Sequence, residues 1–141
     1  MKANWKTTPP KNHGSGLSVL CTRKIKPYIG HTYYEVIEGW ADIAENGDLW
    51  LQRGCIAWTS KPEHISVSPA GWYNEYRGDD PPPESGYYLV SRDRSPSPFN
   101  SHVDITYFNE KEQRFSGEQA LGQVLGWQPL PKPYSPMRKG G

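Results

Sequence analysis

Cysteine is scarce in this chain: Cys21 and Cys55 are the only two in 141 residues. Two cysteines build no disulfide framework, and neither lies near a histidine pair at ligand spacing, which excludes a zinc finger or ribbon. Long apolar runs are also missing. Nothing approaches the roughly 18 residues of a membrane-spanning helix, and the polar stretch Met1 to Lys11 lacks the apolar core of a signal peptide. These absences predict a cytoplasmic protein with no membrane partner, its cysteines free thiols on strands. Charge of one sign is absent as well. A net charge of +1 exerts no global pull on nucleic acid or an anionic membrane.

What is present is aromatic and turn-rich. Six Trp and nine Tyr stand among fourteen Gly and fourteen Pro, a composition of short strands joined by turns rather than long helices. A chain of this length buries about 68–70% of its unfolded surface and needs no metal or disulfide staple. The landmarks also repeat. Trp5, Pro9-Pro10, Gly16, Val19-Leu20 and a closing Trp58 recur as Trp72, Pro81-Pro82-Pro83, Gly86, Leu89-Val90 and Trp127. A tandem duplication explains the nearly equal Trp-to-Trp spans. The predicted organisation is a first repeat unit over 1–62, a linker with aromatics over 63–80, and a second repeat unit with a proline-rich tail over 81–141.

Each copy reads as four short strands with hairpin connections, hence as an antiparallel sheet. In the first copy these are 17–22, 33–44, 48–52 and 55–59, with Asn46-Gly47 as the hairpin turn because both residues tolerate positive φ. In the second they are 87–91, 102–108, 114–116 and 125–128, with one helical turn over 118–123. The expected fold is all-β with minor α content: two similar antiparallel units packed as one body.

Alternation assigns the faces. Val103, Ile105 and Tyr107 read as core-facing, with His102, Asp104 and Thr106 on a solvated face. Aligned to this, the first copy turns Ile37, Gly39 and Ala41 inward and Val36 and Trp40 outward, with Tyr34 beside them. Matching Trp50 to core-facing Phe115 places Leu49 and Leu51 on the same outer face. The first copy is then apolar on both faces, and exposed large apolar side chains forgo about 1.5–3 kcal/mol each. The other copy or the linker aromatics would cover that face, or a second protomer, or a target protein. The last two make Tyr34, Val36, Trp40, Leu49 and Leu51 a partner-binding patch.

Few residues converge for chemistry. His13, His31, His64 and His102 lack zincin spacing, and no nucleophile elbow, P-loop or dinucleotide-binding glycine pattern occurs. No catalytic, metal or cofactor residues are assigned, and the chain reads as a non-enzyme. His102 with Asp104 is the nearest approach to a catalytic pair, and a solvated strand face explains it equally well. Arg23, Lys24 and Lys26 in one copy, and Arg92 and Arg94 in the other, occupy the same connection. There they could meet an anionic partner, nucleic acid or nucleotide. Pro133 and Pro136 have the spacing of an SH3 ligand, although a strap packing on Trp127 accounts for them better.

The series Gly86-Tyr-Tyr-Leu-Val, Val103-Asp-Ile-Thr-Tyr-Phe and Gly126-Trp-Gln-Pro-Leu-Pro-Lys-Pro resembles a family of phage and prophage domains of unknown function that close on Trp-x-Pro-Leu-Pro. The resemblance covers Trp72 to about Pro133. The first copy follows it loosely, with Thr59-Ser60-Lys61-Pro62 in place of Pro-Leu-Pro. It implies a mobile-element accessory protein that binds and inhibits a host protein, such as a component of a defence system. It implies no catalytic residues.

Overall fold

The computed structural model describes residues 3–11, 17–74, 78–93, 102–117 and 122–135. Among these there is no helix, and none therefore long and apolar enough to cross a membrane. The strands are β1 (Leu17–Ile25), β2 (Tyr33–Ile43), β3 (Leu49–Leu51), β4 (Cys55–Thr59), β5 (Gly86–Asp93), β6 (His102–Asn109), β7 (Arg114–Phe115) and β8 (Gln123–Pro129). They form two four-stranded antiparallel sheets of identical order, β3-β2-β1-β4 and β7-β6-β5-β8. The all-β expectation of two similar units holds. The helical turn expected at 118–123 falls largely on 118–121, outside the described residues.

The duplication extends to hydrogen-bond register. Cys21 lies opposite Trp58, and Val90 opposite Trp127. Both inner ladders carry a β-bulge at the same step, between Thr22 and Arg23 and between Ser91 and Arg92. Outside the strands, Lys6 bridges Trp58 and Tyr73 bridges Trp127. Each closing indole has a buried N–H that must find an acceptor. Trp58 donates to the Thr8 carbonyl at 2.8 Å, and Trp127 to the Asp80 carbonyl at 3.2 Å. Above each indole lies the bridging residue: the Lys6 ammonium 4.8 Å from the Trp58 ring, the Tyr73 ring stacked on Trp127 at 4.6 Å.

Unit boundaries differ from the expected ones. Pro62–Leu130 form one compact unit, and Lys2–Lys61 with the segment from Pro131 form the other. The aromatics of 63–80 therefore belong to the C-terminal unit: Trp72 is buried, and its Nε1 donates to the Glu63 carbonyl at 3.0 Å. The proline-rich tail belongs to the N-terminal unit, where Trp5 Nε1 donates to the Lys132 carbonyl at 2.8 Å. Glu63 and Lys132 stand at the same distance past their closing Trp. The next contact repeats too: Ile65 N–H donates to Ser91 Oγ at 3.0 Å, and Tyr134 N–H to Thr22 Oγ1 at 2.9 Å. Each copy sends the strap behind its closing Trp to the other copy's sheet. The described part of the tail, 131–135, is bonded within the N-terminal unit, whereas the sequence placed it on Trp127.

Val19, Cys21, Ala41 and Trp58 form the N-terminal core, with Ile37, Leu49, Leu51 and Cys55 packed against it. Tyr88, Val90, Phe108, Phe115 and Trp127 form the C-terminal one, with Val124 beside it. Each large side chain fully withdrawn from water contributes about 1.5–3 kcal/mol.

Candidate functional site

The outer face of the N-terminal sheet follows from alternation and register. Directly opposed residues share a face, so Ser18, Leu20, Thr22 and Lys24 of β1 lie with Trp40, Glu38, Val36 and Tyr34 of β2. Ala57 and Thr59 of β4 join them, and Trp50 of β3 lies opposite Asp42. The face is buried along one side. Leu20, Thr22 and Ala57 are fully enclosed, and the strap residue Tyr134 is hydrogen-bonded to Thr22. Towards β3 it opens. Trp40 is 51% exposed and Trp50 48% exposed, and the two are diagonal neighbours in the β2–β3 register. Tyr34 and Val36 are half-buried between these extremes. A depression of about 400 Å³ beside Trp50 is lined by Asp42, Ile43, Ala44 and Glu45.

Three of the five predicted patch residues, Tyr34, Val36 and Trp40, therefore share a face. Leu49 and Leu51 do not: they pack against the core, and Trp50 between them takes the outer position. The cause is turn length. A two-residue Asn46-Gly47 turn would set Leu51 opposite Asp42, on the outer face. The hairpin instead closes between Ala44 and Asp48, with Ala44 N–H donating to the Asp48 carbonyl at 2.8 Å and Gly47 alone at positive φ (87°). The loop has three residues, the form with glycine in the left-handed position. One residue of slip moves every side chain of β3 to the opposite face.

Of the basic positions, Arg23 is ion-paired and Arg92 is buried. Arg23 and Lys24 are strand residues of β1. Arg23 Nε donates to Glu35 Oε1 at 2.8 Å, and its Nη2 is ion-paired to the same oxygen. Lys24 and Lys26 are exposed, as are Tyr28 and Ile29 at the tip of the β1–β2 connection. Arg92 is 0% exposed, so it is removed from any anionic-partner surface. Arg94 lies outside the described residues.

Arg92 anchors a buried network. Its Nε donates to Asp104 Oδ2 at 2.9 Å and Oδ1 at 3.2 Å, Nη1 to the Gly122 carbonyl at 2.8 Å, and Nη2 to Thr106 Oγ1 at 2.9 Å and the Ser116 carbonyl at 3.0 Å. Asp104 and Thr106 thus face inward with Val90 and Tyr88, reversing the expected solvated face. Charges survive there because each hydrogen-bonding group is matched. Val103 and Leu89 on the other face are buried too, so the expected contrast between a two-sided first copy and a one-sided second copy disappears. Asp104 is bonded to Arg92, and the side chain of His102, its expected companion, lies outside the described residues. His64 is likewise engaged: Ser66 N–H donates to its Nδ1 at 3.1 Å, which leaves Nε2 to donate to the Arg92 carbonyl at 2.7 Å.

Cys21 and Cys55 meet on the core side of the N-terminal sheet. Interaction with Cys55, together with burial, raises the Cys21 thiol far above its ordinary range; interaction with Cys21, aided by Arg23, lowers Cys55 against the opposing effect of burial. Among the described residues, no group of three or more His, Cys, Asp or Glu is arranged to hold a metal. Comparison with family models, curated proteins and solved structures finds no match.

Proposed function

We propose that this chain is a non-enzymatic binding protein of the phage accessory type, which docks on a host protein and blocks it. The reading is carried by the half-exposed pair Trp40 and Trp50, side by side on a face whose Leu20 and Ala57 are enclosed and whose Tyr34 and Val36 are half-buried. Rigid aromatic anchors beside a depression are the side chains that dominate protein interfaces. The surroundings define the partner's chemistry. Asp42 and Glu45 line the depression beside Trp50, so the patch repels a phosphate backbone and suits a partner presenting Arg or Lys, which can also stack on an indole. Only Lys24 and Lys26 remain, among the described residues, for the alternative nucleic-acid reading.

The experiment is capture of a partner from bacterial lysate by the wild-type chain, compared with Trp40→Glu and Trp50→Glu. Loss of a hot-spot residue costs about 2 kcal/mol or more, roughly thirtyfold in affinity. Both variants should remain folded and lose the partner, whereas Tyr107→Glu, at the equivalent site of the other unit, should keep it. Undiminished capture by both Trp variants, or affinity for single-stranded DNA falling steeply with salt, overturns the reading. Light scattering on the free chain distinguishes a second protomer as the occupant.

A further inference from the structure

We infer that the free edge of β2 is an interface, on which a second copy of this chain pairs its own β2 antiparallel about a twofold axis at Ile37. β2 runs from Tyr33 to Ile43, yet β3 pairs only with Ala41, Asp42 and Ile43. The rest of that edge has no neighbouring strand. Ala44 N–H donates to the Asp48 carbonyl, and these two residues lie opposite each other in the continued β2–β3 register. Backbone groups turn alternately to the two edges of a strand. Asp42 therefore also turns its groups to β3, and Tyr34, Val36, Glu38 and Trp40 turn theirs to the empty edge. Among the described residues, no backbone hydrogen bond reaches these four from that side.

Such an edge is a template for another strand, and folds blunt it with a proline, a lysine, a bulge or brevity. β2 has none of these. No proline or lysine lies between His31 and Leu51. The register with β1 is continuous from Leu17 opposite Ala41 to Ile25 opposite Tyr33, and the strand spans 11 residues. Its charges are also compensated, Glu35 by Arg23 and Glu38 by Lys61 at 2.9 Å.

The edge is complementary to itself. Hydrogen bonds close only where edge-facing residues meet edge-facing residues, so the partner strand can slip only in steps of two. With the axis at Ile37, Tyr34 faces the partner's Trp40 and Val36 faces the partner's Glu38, and all four edge residues are paired. An aromatic pair forms at each end. Glu35 faces the partner's Gly39, so no like charges are directly opposed. On the core side, half-buried Ile37 meets the partner's Ile37. An axis at Glu38 would set two carboxylates directly opposite, which is destabilising. An axis at Val36 would carry Trp40 past the end of the strand, to the partner's Thr32.

Two edges joined in this way form an isologous dimer, which closes on itself. The pairing runs in the plane of the sheet, so the face that carries Trp40 and Trp50 stays open. The inference therefore stands independently of any host protein. The contact is narrow against the about 20–30 residues a side of a standard interface, so the dimer should dissociate on dilution.

The test is light scattering on the free chain across a dilution series, in reducing buffer to exclude disulfide-linked dimers. Wild type should pass from dimer to monomer as it is diluted. Val36→Pro removes an N–H that has no partner among the described residues, so circular dichroism should show the fold retained. Its dimer should be weaker by about tenfold or more, one bond being lost on each side of the axis. Val36→Glu sets a carboxylate opposite the partner's Glu38 and should weaken the dimer about tenfold; adding Glu38→Lys should restore it. This second series leaves the backbone intact and decides the matter should Val36→Pro fold poorly. A wild type that is monomeric at every concentration overturns the inference, as does a rescue that fails or a dimer that survives both Val36 variants. A dimer abolished by Trp50→Glu would lie on the face and overturns it too. A monomeric wild type whose capture of a host protein is lost with Val36→Pro would assign the edge to a strand of that protein instead.

Discussion

The two units place an arginine at the same step after the same β-bulge and use it in opposite ways. Arg92 turns inward to Asp104 and Thr106 and is wholly buried; Arg23 turns outward to Glu35 at a half-exposed site. The positions equivalent to Asp104 and Thr106 in the N-terminal unit are Ile37 and Gly39, as the shared register shows. With Ile37 and Gly39 in place of that carboxylate and hydroxyl, a buried guanidinium would cost far more than a solvated one. Arg23 therefore leaves the interior, and Cys21 and Cys55 occupy the place that Val90 and Val124 take in the other unit. The same duplicated scaffold thus holds a satisfied ionic core in one copy and an apolar core with two free cysteines in the other.

The sharpest way to break this comparison is to remove each arginine. Arg92→Ala leaves Asp104 buried without its main cation, and truncating one partner of a buried pair costs about 3–5 kcal/mol. Arg23→Ala removes a pair whose side chains are more than a third exposed, where the contribution is about 0–1 kcal/mol. Urea denaturation midpoints should fall far more for the first than for the second. Equal losses would show that the two arginines are not used differently.

The next effect tests the β3 register. Leu51 packs on the core, so Leu51→Ala should destabilise by about 2 kcal/mol. Trp50→Ala, losing an exposed indole, should change stability by about 0.5 kcal/mol or less. The reverse ranking in thermal unfolding would restore the inward Trp50 expected from its match to Phe115.

A smaller effect tests the exchanged straps. Tyr134→Pro deletes the N–H donated to Thr22 Oγ1, and Ile65→Pro deletes its counterpart to Ser91 Oγ. Each loses a hydrogen bond of about 0.5–1.5 kcal/mol. Hydrogen exchange should locate the loss in 17–61 for the first and in 86–129 for the second. Loss in the unit that precedes the strap in sequence would contradict the exchange.

Much of this plan was readable beforehand, for definite reasons. Trp and Pro landmarks exposed the duplication, and Ile37, Gly39 and Ala41 do face inward, although their counterparts are Asp104, Thr106 and Phe108 rather than Val103, Ile105 and Tyr107, so an alignment one residue out and a reversed face cancelled. Alternation failed at Asp104 and Thr106 because it treats polar side chains as solvent-facing. Their partner, Arg92, lies on the adjacent strand, and a linear pattern cannot register that compensation. Trp50 takes the outer face because Leu51, opposite Ala41, is the true counterpart of Phe115, opposite Phe108, and a match one residue out exchanges the faces of β3. Nothing local marks the destinations of Glu63 and Lys132, which depend on where the chain returns after each closing Trp. The Cys21–Cys55 contact needed the bulge, itself a feature of paired strands.

The mildest perturbation is the replacement of the thiol pair by the valines of the sister unit. At pH values below the lowered range of Cys55, Cys21→Val/Cys55→Val should differ from wild type by less than about 1.5 kcal/mol, because volume is nearly conserved. The difference should then depend on pH. Cys55 ionises in the folded chain below its ordinary value of 9.0, so between that lowered range and 9.0 the unfolded chain holds the extra proton, and wild-type stability rises with pH. Above 9.0 the sign reverses: the unfolded chain has released its thiol protons, whereas folded Cys21 keeps its own, so stability falls. Groups common to both proteins cancel in the difference, which should peak near pH 9.0 in reducing buffer. A flat difference curve would mean that the two sulfurs do not share a proton, and would reduce Cys21 and Cys55 to substitutes for Val90 and Val124.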